Sequence, residues 1–339
     1  MRIGLVGFGF GGQKFHLPYI QAAREWELAG VVTRSPARRA ELAAQAPGVP
    51  AFDDLDALID AGVDAVVLTT PPETRRALVL RALERGVHAV ADKPFAPTAD
   101  VARELADAAR DAGRILTVFH NRRWDTDIRT LETVLAGGEL GAVWRVVSRF
   151  DLDDPGTLEV GAAHGLLRDL GSHLVDQMTH LFGPVDRVSA HLDWIGEGDA
   201  RVDAGFAVSL THRGGVHSTI SSSKLTRLAE RELIVYGERG SYVSRMSDVQ
   251  TAAVLRGERP AEARAWGVEA EERWGVLRTA DGERTVPSAA GDYGDYYRAL
   301  HAAIAGDAEL AVTLEQAVHT VEVLDAARES ALEGRTIEL

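Results

Sequence analysis

The sequence predicts a doubly wound parallel α/β domain over residues 1–121, followed by an α+β domain with a mostly antiparallel sheet over 122–339. Three observations predict it. As far as about residue 120, apolar strand-like runs alternate with helical stretches, the pattern of βαβ units and a parallel sheet. Beyond about residue 140, strand-like runs follow one another with turns between them, which argues for antiparallel pairing. The chain of 339 residues is also longer than one ordinary core accommodates.

The elements follow in order. "RIGLVG" (Arg2–Gly7) reads as a buried parallel strand, "QKFHLPYIQAARE" as a helix and "ELAGVVT" (Glu27–Thr33) as a second strand. "DAVVLTTPP" is a strand ending in a proline turn, and "ETRRALVLRALERG" a helix with a glycine stop. "VHAVADKPF" and "RILTVFH" are strands flanking the helix "TADVARELADAARDAG". In the second part "AVWRVVSRF", "RVSAHLDW", "AGFAVSLTH", "VHSTISSS", "ERELIVYGERGSYV" and "GVLRTADGERTV" are strand-like. Two helices, "GDYGDYYRALHAAIAGD" and "TLEQAVHTVEVLDAARESALEGR", close the chain.

Composition excludes several functions. The formal charge of −14 is spread along the chain, so neither nucleic acid nor an anionic membrane is expected as a partner. There is no cysteine, which rules out disulfides, thiolate nucleophiles and Cys-ligated metal, and fits a cytoplasmic location. The first residues read as a strand rather than a signal peptide. No apolar run is long enough to span a bilayer.

Gly7, Gly9 and Gly12 form G-x-G-x-x-G where the first strand meets its helix. In that position the first glycine permits a tight turn, the second lets a pyrophosphate approach the backbone, and the third lets helix and strand pack closely. Free N–H groups at the helix start then face the phosphates. Phe8, Phe10 and Gly11 belong to the same turn. At the end of the second strand stand Thr33, Arg34 and Ser35, with Arg38 one turn on and no acid among them. An acid there would hold a ribose 2′-hydroxyl and an arginine suits a 2′-phosphate, so NADP is expected rather than NAD. The other strand ends bring Thr69, Thr70 and Pro71, then Asp92 and Lys93, then Asn121 towards the same cofactor.

Two places carry candidate chemistry. Lys93 follows a strand and precedes Pro94; it can polarise a substrate oxygen, or be an exposed lysine beside a turn proline. In "RDLGSHLVDQMTHLFGP", Leu170, Leu174, Met178 and Leu181 mark one helical face, while Asp169, His173, Asp176 and His180 mark the opposite one. A histidine with a carboxylate one turn away is general acid–base equipment. A merely polar face and a metal site are the other two readings. Neither an H-E-x-x-H nor a cysteine pair favours the metal, and none is expected.

Three blocks in order, "GFGFGGQKFHLP", "ADKPF" and "LRDLGSHLVDQ", together with the ending "VEVLDAARESALEGRTIEL", resemble the glucose–fructose oxidoreductase / inositol dehydrogenase (Gfo/Idh/MocA) family over essentially the whole chain. "GFGFGGQKFHLPYI" and "VFHNRRWDTDIRTLETVL" look most similar to its NADP-dependent scyllo-inositol dehydrogenase branch. The resemblance implies a Rossmann domain followed by an open-faced sheet that often forms a homodimer or homotetramer interface. It implies that Lys93 hydrogen-bonds the reacting oxygen and that His173, held by Asp169, shuttles the proton. Asp176, Asn121 and Arg122 match positions that line the substrate pocket. The implied reaction is hydride transfer between NADP and a secondary alcohol or ketone of a cyclic polyol or sugar. A non-catalytic NADP-binding regulator, imine or dihydrodiol redox chemistry, and redox-assisted glycoside cleavage are the alternatives. Three places depart from the pattern: Asp92 stands for the commoner Glu, Pro72 and Arg75 stand where Asn and His are common, and the 151–168 segment lacks the usual Trp-Arg and glycine-rich stretch.

Overall fold

The structure, a computed structural model, describes residues 1–158, 164–198, 201–261 and 265–339. The chain divides into two compact units. The first takes Met1–Asn121, Thr251–Arg264 and Asp292–Val318; the second takes Arg122–Gln250, Ala265–Gly291 and His319–Leu339. The parallel-sheet unit therefore draws on three separate stretches of sequence.

In the first unit β1 (Arg2–Val6), α1 (Leu17–Ala22), β2 (Glu27–Val32), α2 (Pro36–Gln45), β3 (Ala51–Phe52) and α3 (Leu55–Asp60) precede β4 (Ala65–Leu68). Then come α4 (Pro72–Glu84), β5 (His88–Ala91), α5 (Ala99–Ala112) and β6 (Leu116–Val118). The six strands lie in the order β3-β2-β1-β4-β5-β6, all parallel. The order reverses between β1 and β4, which opens a crevice at their carboxyl ends. Every residue of β4 is buried, as a strand covered on both faces requires. Thr98 caps α5 by accepting from the Val101 N–H at 3.4 Å, and Gly113 ends it in the left-handed region. Strand β3 has only two residues, too few to leave a periodic signal.

The second unit begins with the 3₁₀ turn that follows Asn121 and with α6 (Thr126–Ala136). Strand β7 (Val143–Asp153) leads, past the undescribed residues, to a π-helical turn at Leu167–Gly171 that runs into α7 (Ser172–Phe182). Strands β8 (Val185–Ile195), β9 (Val202–His212), β10 (His217–Ser223), β11 (Leu225–Gly237) and β12 (Gly240–Ser244) follow. After α8 (Val249–Leu255) come β13 (Gly275–Thr279), β14 (Gly282–Val286), α9 (Gly294–Ala305), α10 (Leu314–Glu333) and β15 (Ile337–Glu338). Of these, α9, all but the first two residues of α8 and the first five residues of α10 belong to the first unit. The nine-stranded order is β14-β13-β12-β11-β7-β10-β9-β8-β15. All its pairs are antiparallel except β7 with β10, so the sheet is mixed. Its core joins Leu131 of α6, Leu174 and Met178 of α7, and Val323 and Leu324 of α10 to Val146, Val208 and Ile220 of the strands. Burying that apolar face is what fixes the helices on the sheet.

The glycines of the first turn have three different environments. Gly7 has φ +100°, and a Cβ there would meet Thr69 Oγ1 at 2.7 Å. A Cβ on Gly12 would lie 2.6 Å from the Gly7 carbonyl oxygen, a backbone atom that cannot yield cheaply. A Cβ on Gly9 would meet nothing within 4 Å. Accordingly Gly12→Ala is expected to cost about 1–3 kcal/mol through overpacking, while Gly9→Ala changes stability little. Thermal unfolding of both variants followed by circular dichroism checks this; equal melting temperatures would contradict the packing role of Gly12.

Candidate active site

In the first unit the residues after β1, β2, β4 and β5 gather at one sheet edge. Gly12–His16 is a π-helical turn, a rare form that is frequent at functional sites. Gln13 folds back so that its Nε2 donates to the Phe8 carbonyl at 3.0 Å and to Glu41 at 2.7 Å. Phe8 is buried, whereas Phe10 is exposed and meets Phe15 edge-on at 5.8 Å. A Cβ on Gly11 would come within 3.4 Å of Asp92. Thr69 Oγ1 donates to the Gly7 carbonyl at 3.0 Å, which ties the end of β4 to the glycine turn.

At the end of β2, Thr33 is buried and Ser35 caps α2, accepting from the Arg38 N–H at 3.4 Å. Arg38, expected at the cofactor, is engaged by Glu41 at 2.8 Å. Arg39 is likewise held, by Asp53 at 2.6 Å and the Thr33 carbonyl at 3.0 Å. Arg34 is exposed and has no acidic partner among the described residues. Lys14, on the π turn, likewise has none.

Asp92 and Lys93 follow β5, and the Lys93–Pro94 peptide is cis. Asp92 Oδ1 accepts from the Lys93 N–H at 2.8 Å, while its Oδ2 lies 3.3 Å from His16 Nε2. The other nitrogen of His16 lies 2.6 Å from the Tyr297 hydroxyl. Burial pushes the Asp92 carboxyl up, but His16, Arg75 and Lys93 outweigh it and hold the group down at about 2. Arg75 stands where the resemblance would place a histidine. It is buried and donates to the carbonyls of Thr70, at 2.8 Å, and of Pro94. The loop after β4, with Pro71 at its end as the residue before α4, is thereby braced against the turn carrying Lys93.

In the second unit the polar stripe resolves into separate pairs. The middle of the stripe is no solvated face: His173 and Asp176 are as buried as Leu174 and Met178, while Asp169 and His180 at its ends are half-buried. Asp169 sits in the π turn, and its Oδ2 accepts from Lys224 Nζ at 2.8 Å. Asp203, pushed up by burial, supports the start of that turn by accepting from the Leu167 N–H at 2.6 Å. Asp176, expected at the substrate, accepts instead from both Nε and Nη2 of Arg123, at 2.9 and 2.6 Å, with both side chains buried. His180 pairs with Glu132 at 2.9 Å, well along the helix from Asp169. Arg122 is also engaged: Asp125 at 3.1 Å, Asp248 at 2.8 Å, and the Phe150 ring centroid 5.1 Å beneath its guanidinium. Asn121 is buried at the end of the first stretch of the first unit. In the divergent 151–168 segment, residues 159–163 lie outside the described residues. Among the described residues there is no group of three or more His, Asp or Glu arranged to hold a metal ion. Among the described residues no helix is long and apolar enough to cross a membrane.

Sequence reasoning missed His16, Arg123, Asp203 and Lys224. Each acts through a partner distant in sequence, so no local spacing marks it. His16 and Arg123 each stood within a block already singled out, but as unremarked neighbours.

A glycine-turn parallel sheet coupled in one chain to an α/β unit with a buried Asp/His helix defines a nucleotide-dependent oxidoreductase of two-domain type. Residues 1–120 match the oxidoreductase family's NAD-binding Rossmann fold, and residues 138–339 match its C-terminal alpha/beta domain. The chain belongs to the Gfo/Idh/MocA oxidoreductase family. It is 35% identical to the uncharacterized oxidoreductase YdgJ of Escherichia coli, covering 99% of this chain and 98% of that one. It is 30% identical to scyllo-inositol 2-dehydrogenase (NADP(+)) IolW of Bacillus subtilis, covering 100% of this chain and 96% of that one. The solved yvaA chain of Bacillus subtilis superposes with a TM-score of 0.91 at 29% identity, over the full length of both.

The depressed carboxyl of Asp92 has a thermodynamic consequence. A group whose folded pKa lies below its unfolded value contributes stability above the unfolded value and loses it as pH falls through the folded one. The ionised Asp92 is thus worth about 2 kcal/mol near neutrality, lost between roughly pH 5 and pH 2. Asp92→Asn is expected to melt lower than wild type near neutrality and to lose less stability on acidification. Parallel slopes of melting temperature against pH for the two proteins would contradict it.

Proposed function

We propose that the protein is an NADP-dependent oxidoreductase acting on a secondary alcohol or ketone of a cyclic polyol or sugar. The observation that carries the cofactor reading is the acid-free end of β2, where the unpaired Arg34 follows Thr33. The Gly9 backbone faces open space, so no side chain of this unit bars a diphosphate there, and the residues fit a dinucleotide. Gly7–Gly12 would hold the diphosphate, with Lys14 adding a cation, and Arg34 and Ser35 would hold the 2′-phosphate. When bound, NADP supplies or accepts the hydride.

The chain's own residues have three tasks. Lys93 donates a hydrogen bond to the reacting oxygen and stabilises charge that develops there. His173 takes the hydroxyl proton in oxidation and returns it in reduction. Asp169 orients His173 from one turn earlier. Arg123, by neutralising Asp176, keeps that buried carboxylate from acting as a competing base. IolW, named for scyllo-inositol, supports a polyol substrate. The divergent 151–168 segment favours a relative of that polyol over scyllo-inositol itself. The joint presence of Lys93, Asp169 and His173 favours an enzyme over a non-catalytic regulator. We also propose a homodimer or homotetramer, which light scattering on the purified chain measures directly.

Two outcomes are expected. NADPH should bind more tightly than NADH in a fluorescence titration, and Arg34→Asp should narrow or reverse the difference. Gly9→Val should abolish binding of both, because the added side chain occupies the phosphate's place. Equal wild-type affinities would remove the assignment of Arg34. On a panel of cyclic polyols and sugars, His173→Ala should lower kcat by about 10²–10⁴-fold with NADPH affinity unchanged. Wild-type single-turnover rates in that variant would mean the proton leaves by another route.

A further inference from the structure

The chain has 37 cationic side chains, and only three are lysines: Lys14, Lys93 and Lys224. Wherever the surface needs a positive charge, this sequence uses arginine. A lysine is required where a compact ammonium on a thin stem must reach a place that the broad guanidinium fork cannot enter. Two of the three already stand in the nucleotide unit, on the glycine turn and after β5. The third is 4% exposed, between β10 and β11 of the other unit. Its backbone N–H donates to the Ala204 carbonyl at 3.1 Å, which fixes its origin. Its Nζ donates to Asp169 Oδ2 at 2.8 Å and to the Thr157 carbonyl at 3.1 Å.

A buried ammonium is costly unless its partners are well placed. Here both partners belong to functionally charged places. Asp169 lies in the π turn, and Thr157 lies in the segment where the chain departs from its family. One side chain therefore ties the divergent segment to the acid that precedes His173.

We propose that Lys224 is a positioning residue for the proton-transfer step. Its ammonium holds the Asp169 carboxylate in the orientation that presents it to His173, and anchors the Thr157 backbone beside it. This rests on the reading of Asp169 and His173 as the proton-handling pair. The displacement of such a group by an ångström can cost about 10²-fold in rate, and the effect passes entirely through Asp169.

The test is a double-mutant cycle in the full-length holoenzyme. Lys224→Gln is expected to lower kcat by about 10–100-fold and leave the NADPH dissociation constant unchanged. In an Asp169→Asn background the same substitution should change kcat by less than about twofold, because residues that act as a unit are not additive. A merely structural lysine would cost the same factor in both backgrounds, and that result overturns the proposal. So does full activity in Lys224→Arg, which would show that any cation serves. A second measurement needs no substrate. With ¹⁵N-labelled lysine the chain gives three side-chain ammonium resonances, and the one lost in Lys224→Gln should move in Asp169→Asn. An unmoved resonance refutes the ion pair. Failure of the wild type to oxidise any polyol or sugar, with that shift intact, counts against the proposed function and so against Lys224's part in it, separately from the pairing.

Discussion

A charged side chain taken out of water must be met by an opposite charge or by directed hydrogen bonds, because its uncompensated burial costs several kcal/mol. That constraint organises both units. Asp92 is met by His16, Lys93 and Arg75; Asp176 by Arg123; Asp169 by Lys224. Arg122 and Arg231 share the Phe150 ring and meet Asp125, which Asp127 and Asp248 join. Burial and the neighbouring Asp125 push the Asp127 carboxyl up, against the pull of Arg231. Carboxylates in such surroundings are held in one orientation. Preorganisation of this kind is what lets fixed charges act without reorganising during reaction.

The two π turns serve the same end by a backbone route. Gly12–His16 and Leu167–Gly171 each widen the helix start just where an ion-paired side chain projects, His16 in one and Asp169 in the other. In the first, the turn delivers His16 to Asp92 and Tyr297. In the second, Asp203 takes the Leu167 N–H and frees Asp169 to face Lys224. Gly165, at φ +106°, leaves room for that support: a Cβ there would fall 2.2 Å from Asp203 Oδ1. The residue sits two places before the turn and makes the approach of Asp203 possible.

Much of this was legible in the sequence, for a physical reason. Strands buried on both faces must be apolar throughout, so β1, β2, β4, β5 and β6 announced themselves, and the glycine turn marked the point where backbone must come close to backbone. The antiparallel runs of the second unit were readable too. What stayed hidden was pairing at long range. Nothing in "VVSRF" or "HSTISSS" says that β7 runs parallel to β10 while running antiparallel to β11. The Asp/His stripe was visible, but its burial was not, because a polar face reads as solvated until the partners Arg123 and Lys224 are known. The same holds for Arg38, whose Glu41 partner is close in sequence but whose engagement depends on side-chain rotamers.

The three-stretch composition of the nucleotide unit bears on how the chain is born. Trp26 donates to the Tyr297 carbonyl at 2.8 Å, His16 meets the Tyr297 hydroxyl, and Thr117 donates to the Val312 carbonyl at 2.8 Å. On a ribosome the first 121 residues emerge long before residues 292–318, so the parallel sheet is made while its closing helix is still unsynthesised. During that interval Trp26 and Thr117 lack their carbonyl acceptors and His16 keeps Asp92 but lacks the Tyr297 hydroxyl, so the nascent unit is an incomplete fold. Completion waits until residues 292–318 have been made, and until then the unit exposes surface that a chaperone would protect.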